Sequence, residues 1–182
     1  MHGLPVRRSV RLRGFDYRSV GAYFITICTY RRACIFAEIV NDATVLSVAG
    51  EVVESGWRAI PRFSPDVGLD LFVVMPNHVH GILVLGEGFR EKHSPEANAS
   101  PLHRFRPKGT QGGSISAIVQ TFKATTTRRV RSLPGLMGLR LWQRGFYDHV
   151  IRDDEELNRL RYYIEENPLR WGLDEENPQR SV

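Results

Sequence analysis

Apolar and polar positions along the chain fall into short runs of distinct period. Residues 22–29 (AYFITICT) are β-branched and aromatic and predict a strand. Apolar residues at 45, 48, 49, 52, 53, 57 and 60 recur at helical spacing and predict a helix over 45–60, ended by Pro61. Two strand-like runs, 69–75 and 78–85, flank Pro76-Asn77 and predict an antiparallel hairpin. Segment 86–113 has little periodicity and is rich in Gly, Pro and charge, as a long functional or disordered loop would be. Ser114 is placed to cap a helix through about Arg131, with Ile115, Ile118, Val119 and Phe122 on one face. Pro134-Gly135 breaks it, and 141–151 reads as extended. Asp153 or Asp154 starts a last helix whose first-turn acids complement its dipole. Leu157, Leu160 and Ile164 form its apolar stripe, and Pro168 and Gly172 close it. The order β-α-β-β-α-β-α, with an antiparallel hairpin in the middle and without internal repeats, predicts an α+β sandwich: one sheet with helices packed on it.

Length and composition fit a single domain over residues 1–182: 42% hydrophobic and 25% charged residues are an ordinary globular balance. The longest apolar run, 71–76, is too short to span a membrane. The opening MHGLPVRRSVRLRG has charge but no apolar stretch, so no secretory signal is expected and a cytoplasmic, nucleoid-associated location is. Cys28 and Cys34 are too few for a disulfide framework and lack zinc spacing.

Charge is unevenly spread, and this changes the picture. The net charge is +5, but 101–150 carries nine Lys/Arg against Asp148 alone. Residues 1–18 carry five Arg against Asp16, and 151–182 hold nine acids and five Arg. Arginine concentrated in this way suits bidentate phosphate contacts and favours a nucleic-acid partner over a merely solvated face.

The segment MPNHVHGILVL (75–85) carries the candidate chemistry. On a strand, His78 and His80 point to one side and Val79 to the other. Two imidazoles on rigid backbone supply much of a divalent-metal site, although such a pair also occurs as ordinary surface or core residues. Tyr163 and Asn167 stand at i and i+4 on the last helix and share a face, with the caution that Asn167 precedes a proline. Set against the histidines, they would add a nucleophilic phenol and an amide oxygen; by themselves they also read as a core aromatic and a helix cap. Tyr162 points about 100° away from Tyr163. Tyr147, in an extended segment, is the next candidate nucleophile.

Together these stretches resemble the REP-associated tyrosine transposases, a single-tyrosine branch of the HUH endonuclease superfamily. Four of them carry the match: RSVRLRGFDYRSVGAYFITICT (8–29), LDLFVVMPNHVHGILVL (69–85), SISAIVQTFKATTTRRV (114–130) and WQRGFYDHVIRDDEELNRLRYYIEENPLRWGL (142–173). MPNHVHGI and the Tyr-x-x-x-Asn-Pro ending are specific in combination, whereas the 86–113 loop matches nothing. The resemblance implies a ferredoxin-like fold with the histidine pair on a central strand. It implies cleavage and rejoining of single-stranded or hairpin DNA of repetitive palindromic elements through a 5′-phosphotyrosine. Its metal ligands would be His78, His80 and Asn167, its nucleophile Tyr163, and its cofactor Mg²⁺ or Mn²⁺. Relatives of this kind act as monomers or homodimers.

Lys123, Arg128, Arg129 and Arg131 are candidate phosphate contacts at salt-sensitive affinity. Arg7, Arg8, Arg11 and Arg13 form a basic arm that either enters a groove or is a plain tail. Trp171 is a candidate base-stacking residue, Trp142 and Phe146 read first as core, and His93 and His103 as exposed loop residues. Two other functions are compatible with these residues: a DNA-binding domain that has lost its chemistry, and a metal-dependent nuclease that activates water.

Overall fold

The computed structural model describes residues 20–86 and 113–180. In chain order its elements are β1 (Gly21–Cys28), β2 (Ala37–Val40), β3 (Ala43–Leu46), α1 (Val48–Arg58), α2 (Ile60–Phe63), β4 (Val67–Val74), β5 (His78–Leu85), α3 (Ile115–Arg131), β6 (Tyr147–Ile151) and α4 (Asp154–Glu166). Four strands form one antiparallel sheet in the order β4-β5-β1-β6. With α1 crossing from β1 to β4 and α3 from β5 to β6, this is a ferredoxin-like βαββαβ arrangement, with the histidine strand β5 inside the sheet.

The alternation of side chains sorts the sheet into two faces. Tyr23, Ile25 and Ile27 of β1 and Val79, Leu83 and Leu85 of β5 pack with α1 and α3 in the larger core, around Trp57, Phe122 and Trp142. Gly81 allows that packing, because a Cβ there would collide with the Trp57 indole. Truncating the fully buried Trp57 would cost about 3–5 kcal/mol. The opposite face, with Phe24, Ile82 and Ile151, is covered by Ile164, Leu157 and Leu160 of α4.

Helix starts fall where capping chemistry puts them. The Ser114 hydroxyl accepts from the Ala117 N–H at 3.3 Å, and the Asp153 carboxylate accepts from the Glu156 N–H at 2.8 Å. The helix expected over 45–60 is corrected at both ends. Val45 and Leu46 belong to β3, paired with Glu38 and Ala37, and Ser47 caps α1 through the Gly50 N–H at 3.1 Å. Pro61 does not end that helix; α1 stops at Arg58, and Pro61 sits in the first turn of α2, where its missing N–H costs nothing. The β2–β3 hairpin turns on Asn41 and Asp42, both left-handed at φ 49° and 61°, as a two-residue hairpin loop of that twist requires. The basic arm over 1–18 and almost all of the 86–113 loop lie outside the described residues.

Candidate active site

The β1–β5 register builds the floor of the site. Thr26 stands opposite His80 and Cys28 opposite His78, so all four side chains project toward α4's side of the sheet. Both histidines are buried, their ring centroids 4.4 Å apart. Each is held at Nδ1: His78 by the Asn77 carboxamide oxygen at 2.9 Å and His80 by the Thr26 hydroxyl at 2.8 Å. Holding one ring nitrogen in this way orients the other for a ligand.

Helix α4 supplies the roof. A one-residue bulge in β4 between Leu69 and Phe72 turns Asp70 toward the helix, where Arg161 grips it in a fork, Nε to Oδ1 at 3.0 Å and Nη2 to Oδ2 at 2.6 Å. The guanidinium holds the Asp70 carboxyl below the usual carboxylate range, against the opposing effect of burial. Half a turn onward, the Tyr163 hydroxyl lies 3.4 Å from His80 Nε2. The Phe24 ring stacks on His80 and meets Tyr163 edge-on, with centroids at 5.3 and 6.0 Å. Tyr162 is 56% exposed and lies under the Arg170 guanidinium, away from the histidines.

Asn167 is the C-cap of α4 and keeps helical backbone (φ −60°, ψ −41°) although Pro168 follows, so its side chain stays on the Tyr163 face. It is 2% exposed; Nδ2 donates to Asp174 Oδ2 at 3.3 Å, and Oδ1 is a buried acceptor with no hydrogen-bond partner among the described residues.

Asp174 is the site residue that sequence reasoning missed. It follows a 3₁₀ turn (Trp171–Leu173), and its carboxylate joins His78 and His80 with one ligand atom from each within 4.8 Å of the others. No spacing rule marks it, because only the fold of the chain end returns it to β5. Two imidazoles, a carboxylate and an unsatisfied buried amide oxygen form a mixed N/O donor set that fits a divalent cation.

From this corner a cleft of about 660 Å³ extends over β6, lined by Tyr147, His149, Glu156, Arg159 and Arg170. Tyr147 is therefore in the same cleft as Tyr163. His149 Nε2 lies 2.7 Å from Glu156 Oε1. Burial opposes ionisation of Glu156, but the Arg152 N–H and His149 outweigh it and keep this carboxyl low.

The basic residues of α3 lie on the other face of the sheet. Lys123, Arg128, Arg131, Arg140 and Arg144 line a groove of about 670 Å³ that has no acidic side chain. Lys123 is half-buried, donates to the Gln143 and Gly145 carbonyls at 2.6 and 3.0 Å, and is pushed down to about 8 by desolvation. Arg131 Nε donates to the Leu139 carbonyl at 2.9 Å, Arg129 reaches Ser55, and Arg128 is exposed. Trp142 is core and donates to Thr126 at 3.0 Å, Phe146 packs beside it, and Trp171 lies beside His78 with ring centroids at 6.0 Å. Arg7, Arg8, Arg11, Arg13, His93 and His103 lie outside the described residues. Cys28 and Cys34 form no disulfide; the first is buried and the second exposed.

This fold recurs in a solved structure. A REP-associated tyrosine transposase bound to a REP hairpin superposes with a TM-score of 0.56 at 19% identity, over 95% of this chain and 76% of that one. The chain thus has the fold of a tyrosine transposase. In sequence it matches an uncharacterized protein of Haemophilus influenzae, 39% identical over 175 residues, covering 95% of this chain and 94% of that protein. The chain belongs to the family of that protein. No protein-family model matches it.

Proposed function

We propose that this protein is a metal-dependent, single-tyrosine DNA transposase or endonuclease that cleaves and rejoins single-stranded or hairpin DNA. The observation that carries the reading is the Tyr163 hydroxyl 3.4 Å from His80 Nε2, beside a donor set that fits a divalent cation. His78, His80 and Asp174, with the buried Asn167 amide oxygen, would hold Mg²⁺ or Mn²⁺. Such an ion, when bound, neutralises charge on the scissile phosphate.

The Tyr163 oxygen attacks phosphorus and forms a P–O bond to the phenol as the P–O3′ bond breaks. The phenol proton is lost, and the departing 3′ oxygen takes one up. The new 5′-phosphotyrosine is still a phosphodiester, so a 3′-hydroxyl can reverse the step without ATP. Phe24 and Leu160 keep one side of the phenol dry, while Arg159 and Arg170 line the cleft along which a strand would run. The groove lined by Lys123, Arg128 and Arg131, with Arg140 and Arg144 beside them, supplies phosphate contacts on the other face. REP-type palindromes are the substrate class suggested by the fold relative, which is bound to a REP hairpin.

Incubation with Mn²⁺ and end-labelled hairpin DNA tests this. The expected result is a denaturation-resistant protein adduct on the 3′ fragment that disappears in Tyr163→Phe. Cleavage that survives Tyr163→Phe would indicate a water-using nuclease. Salt-sensitive binding without any adduct would indicate a DNA-binding domain.

A further inference from the structure

Asn77 is fully buried at the β4–β5 turn, immediately before the first histidine, and its polar side chain is spent on two separate parts of the site. Its Nδ2 donates to the Arg32 carbonyl at 3.1 Å and to the Glu176 carbonyl at 2.6 Å. Both partners are pure acceptors, so the amide orientation is settled by chemistry: nitrogen faces the carbonyls and Oδ1 faces His78. An oxygen in that position only accepts, so the His78 Nδ1 at 2.9 Å carries the proton. Nε2 is then the lone-pair nitrogen, the form in which imidazole binds a cation.

The other end of the same amide holds the chain segment that bears Asp174. Glu176 gives its carbonyl to Asn77 and its N–H to Asp174 Oδ1 at 2.6 Å. The segment is tied further by Arg32, whose Nη1 donates to the Glu175 carbonyl at 2.7 Å and whose Nε lies 3.0 Å from the buried Glu176 carboxylate. Arg32 has left-handed backbone at φ 55°, unusual for a side chain of this size. The turn is itself pinned, since the Thr29 N–H donates to the Asn77 carbonyl at 2.8 Å.

We infer that Asn77 is the positioning residue of the metal site: one buried amide sets the tautomer of His78 and clamps the 174–176 segment so that the Asp174 carboxylate meets the two imidazoles. This rests on the metal-dependent reading above. The role is distinct from ligation, because both amide atoms of Asn77 are already engaged.

Two measurements test it. In metal-free wild-type protein, ¹⁵N imidazole NMR is expected to show His78 as the Nδ1–H tautomer; the Nε2–H tautomer would overturn the assignment, whatever any variant does. Mn²⁺ affinity is then measured for Asn77→Asp, which keeps an acceptor for His78 but turns the two carbonyl contacts repulsive. A loss of roughly 10- to 100-fold is expected, the range typical of residues that orient metal ligands. In an Asp174→Asn background the same substitution should cost little more, because the ligand it positions is already impaired. Arg32→Gln, on the half-exposed end of the clamp, should weaken Mn²⁺ binding in the same direction with less risk to folding. Wild-type-like affinity in Asn77→Asp, or fully additive losses in the double variant, would overturn the proposal. If wild-type protein binds no Mn²⁺, the metal reading itself falls and this inference falls with it.

Discussion

The Tyr163 hydroxyl and His80 Nε2 are 3.4 Å apart although 83 positions separate the residues. The contact joins the sheet to the helix at one corner of the cleft, with Phe24 against both rings. Tyr147 lines the same cleft, so two phenols compete for the role of nucleophile. Tyr163→Phe should reduce adduct formation below detection, at least about 1,000-fold, because no other group on its helix face can form the covalent link. Tyr147→Phe should retain it. Denaturing electrophoresis of labelled DNA reads both, and an adduct that depends on Tyr147 alone would reassign the nucleophile.

Metal removal should abolish adduct formation and leave the fold intact, since the sheet and α4 pack through apolar residues outside the donor set. Chelation followed by Mn²⁺ titration checks this, with circular dichroism as the control. Asp174→Asn should weaken Mn²⁺ binding at least about 10-fold and Asn167→Ala by less, because the first removes a negative charge and the second a neutral oxygen. The reverse order would make Asn167 the principal third ligand.

The Asp70–Arg161 fork ties α4 to β4, and its contribution depends on pH in a definite direction. The folded-state pKa of Asp70 is lowered, mainly by the hydrogen bonds from Arg161. A lowered carboxyl pKa adds stability that is present above the unfolded value, near 4, and is lost as pH falls through the folded value. Arg161 is 41% exposed, so the pair is worth only about 0.5–1 kcal/mol. Asp70→Asn should therefore lower the melting temperature slightly at pH 7 and have a shrinking effect as pH drops below 4. A difference from wild type that stays constant down to pH 2 would contradict this origin.

The basic groove should act on binding and leave chemistry alone. Arg128→Ala and Arg144→Ala should each weaken DNA affinity to a similar extent across sequences and reduce the salt slope of log Kd by about 1. Cleavage at saturating DNA should be unchanged, because the groove lies on the opposite face of the sheet from His78 and His80. Sequence-selective loss, or loss of the adduct at saturation, would place these arginines at the reacting strand.

Period and capping chemistry are local, so they were legible in the chain. Alternation alone put His78 and His80 on one face and Val79 in the core; Ser114, and Asp153 or Asp154, marked the helix starts because caps bind N–H groups two or three residues on, and the structure selects Asp153. The same local reading failed at 45–46, where apolar spacing fitted a helix and pairing with β2 prevailed, because strand pairing depends on a partner outside the window. It saw that Tyr163 and Asn167 share a face and that Leu157, Leu160 and Ile164 form the apolar stripe, and had no means to say which part of the sheet that stripe meets; packing on Phe24, Ile82 and Ile151, the β4 bulge and the Arg161 fork decide that. Asp174 and the Asn77 clamp were beyond it altogether. Residues 174–176 have no regular element of their own, and their position follows from hydrogen bonds to Asn77 and Arg32, 99 and 143 residues away in the chain. The amino-acid order determined the elements and the kinds of chemical group they carry. Only tertiary packing decided which of those groups meet, because contacts between distant segments are set by burial and by the pairing of buried polar atoms across the whole chain.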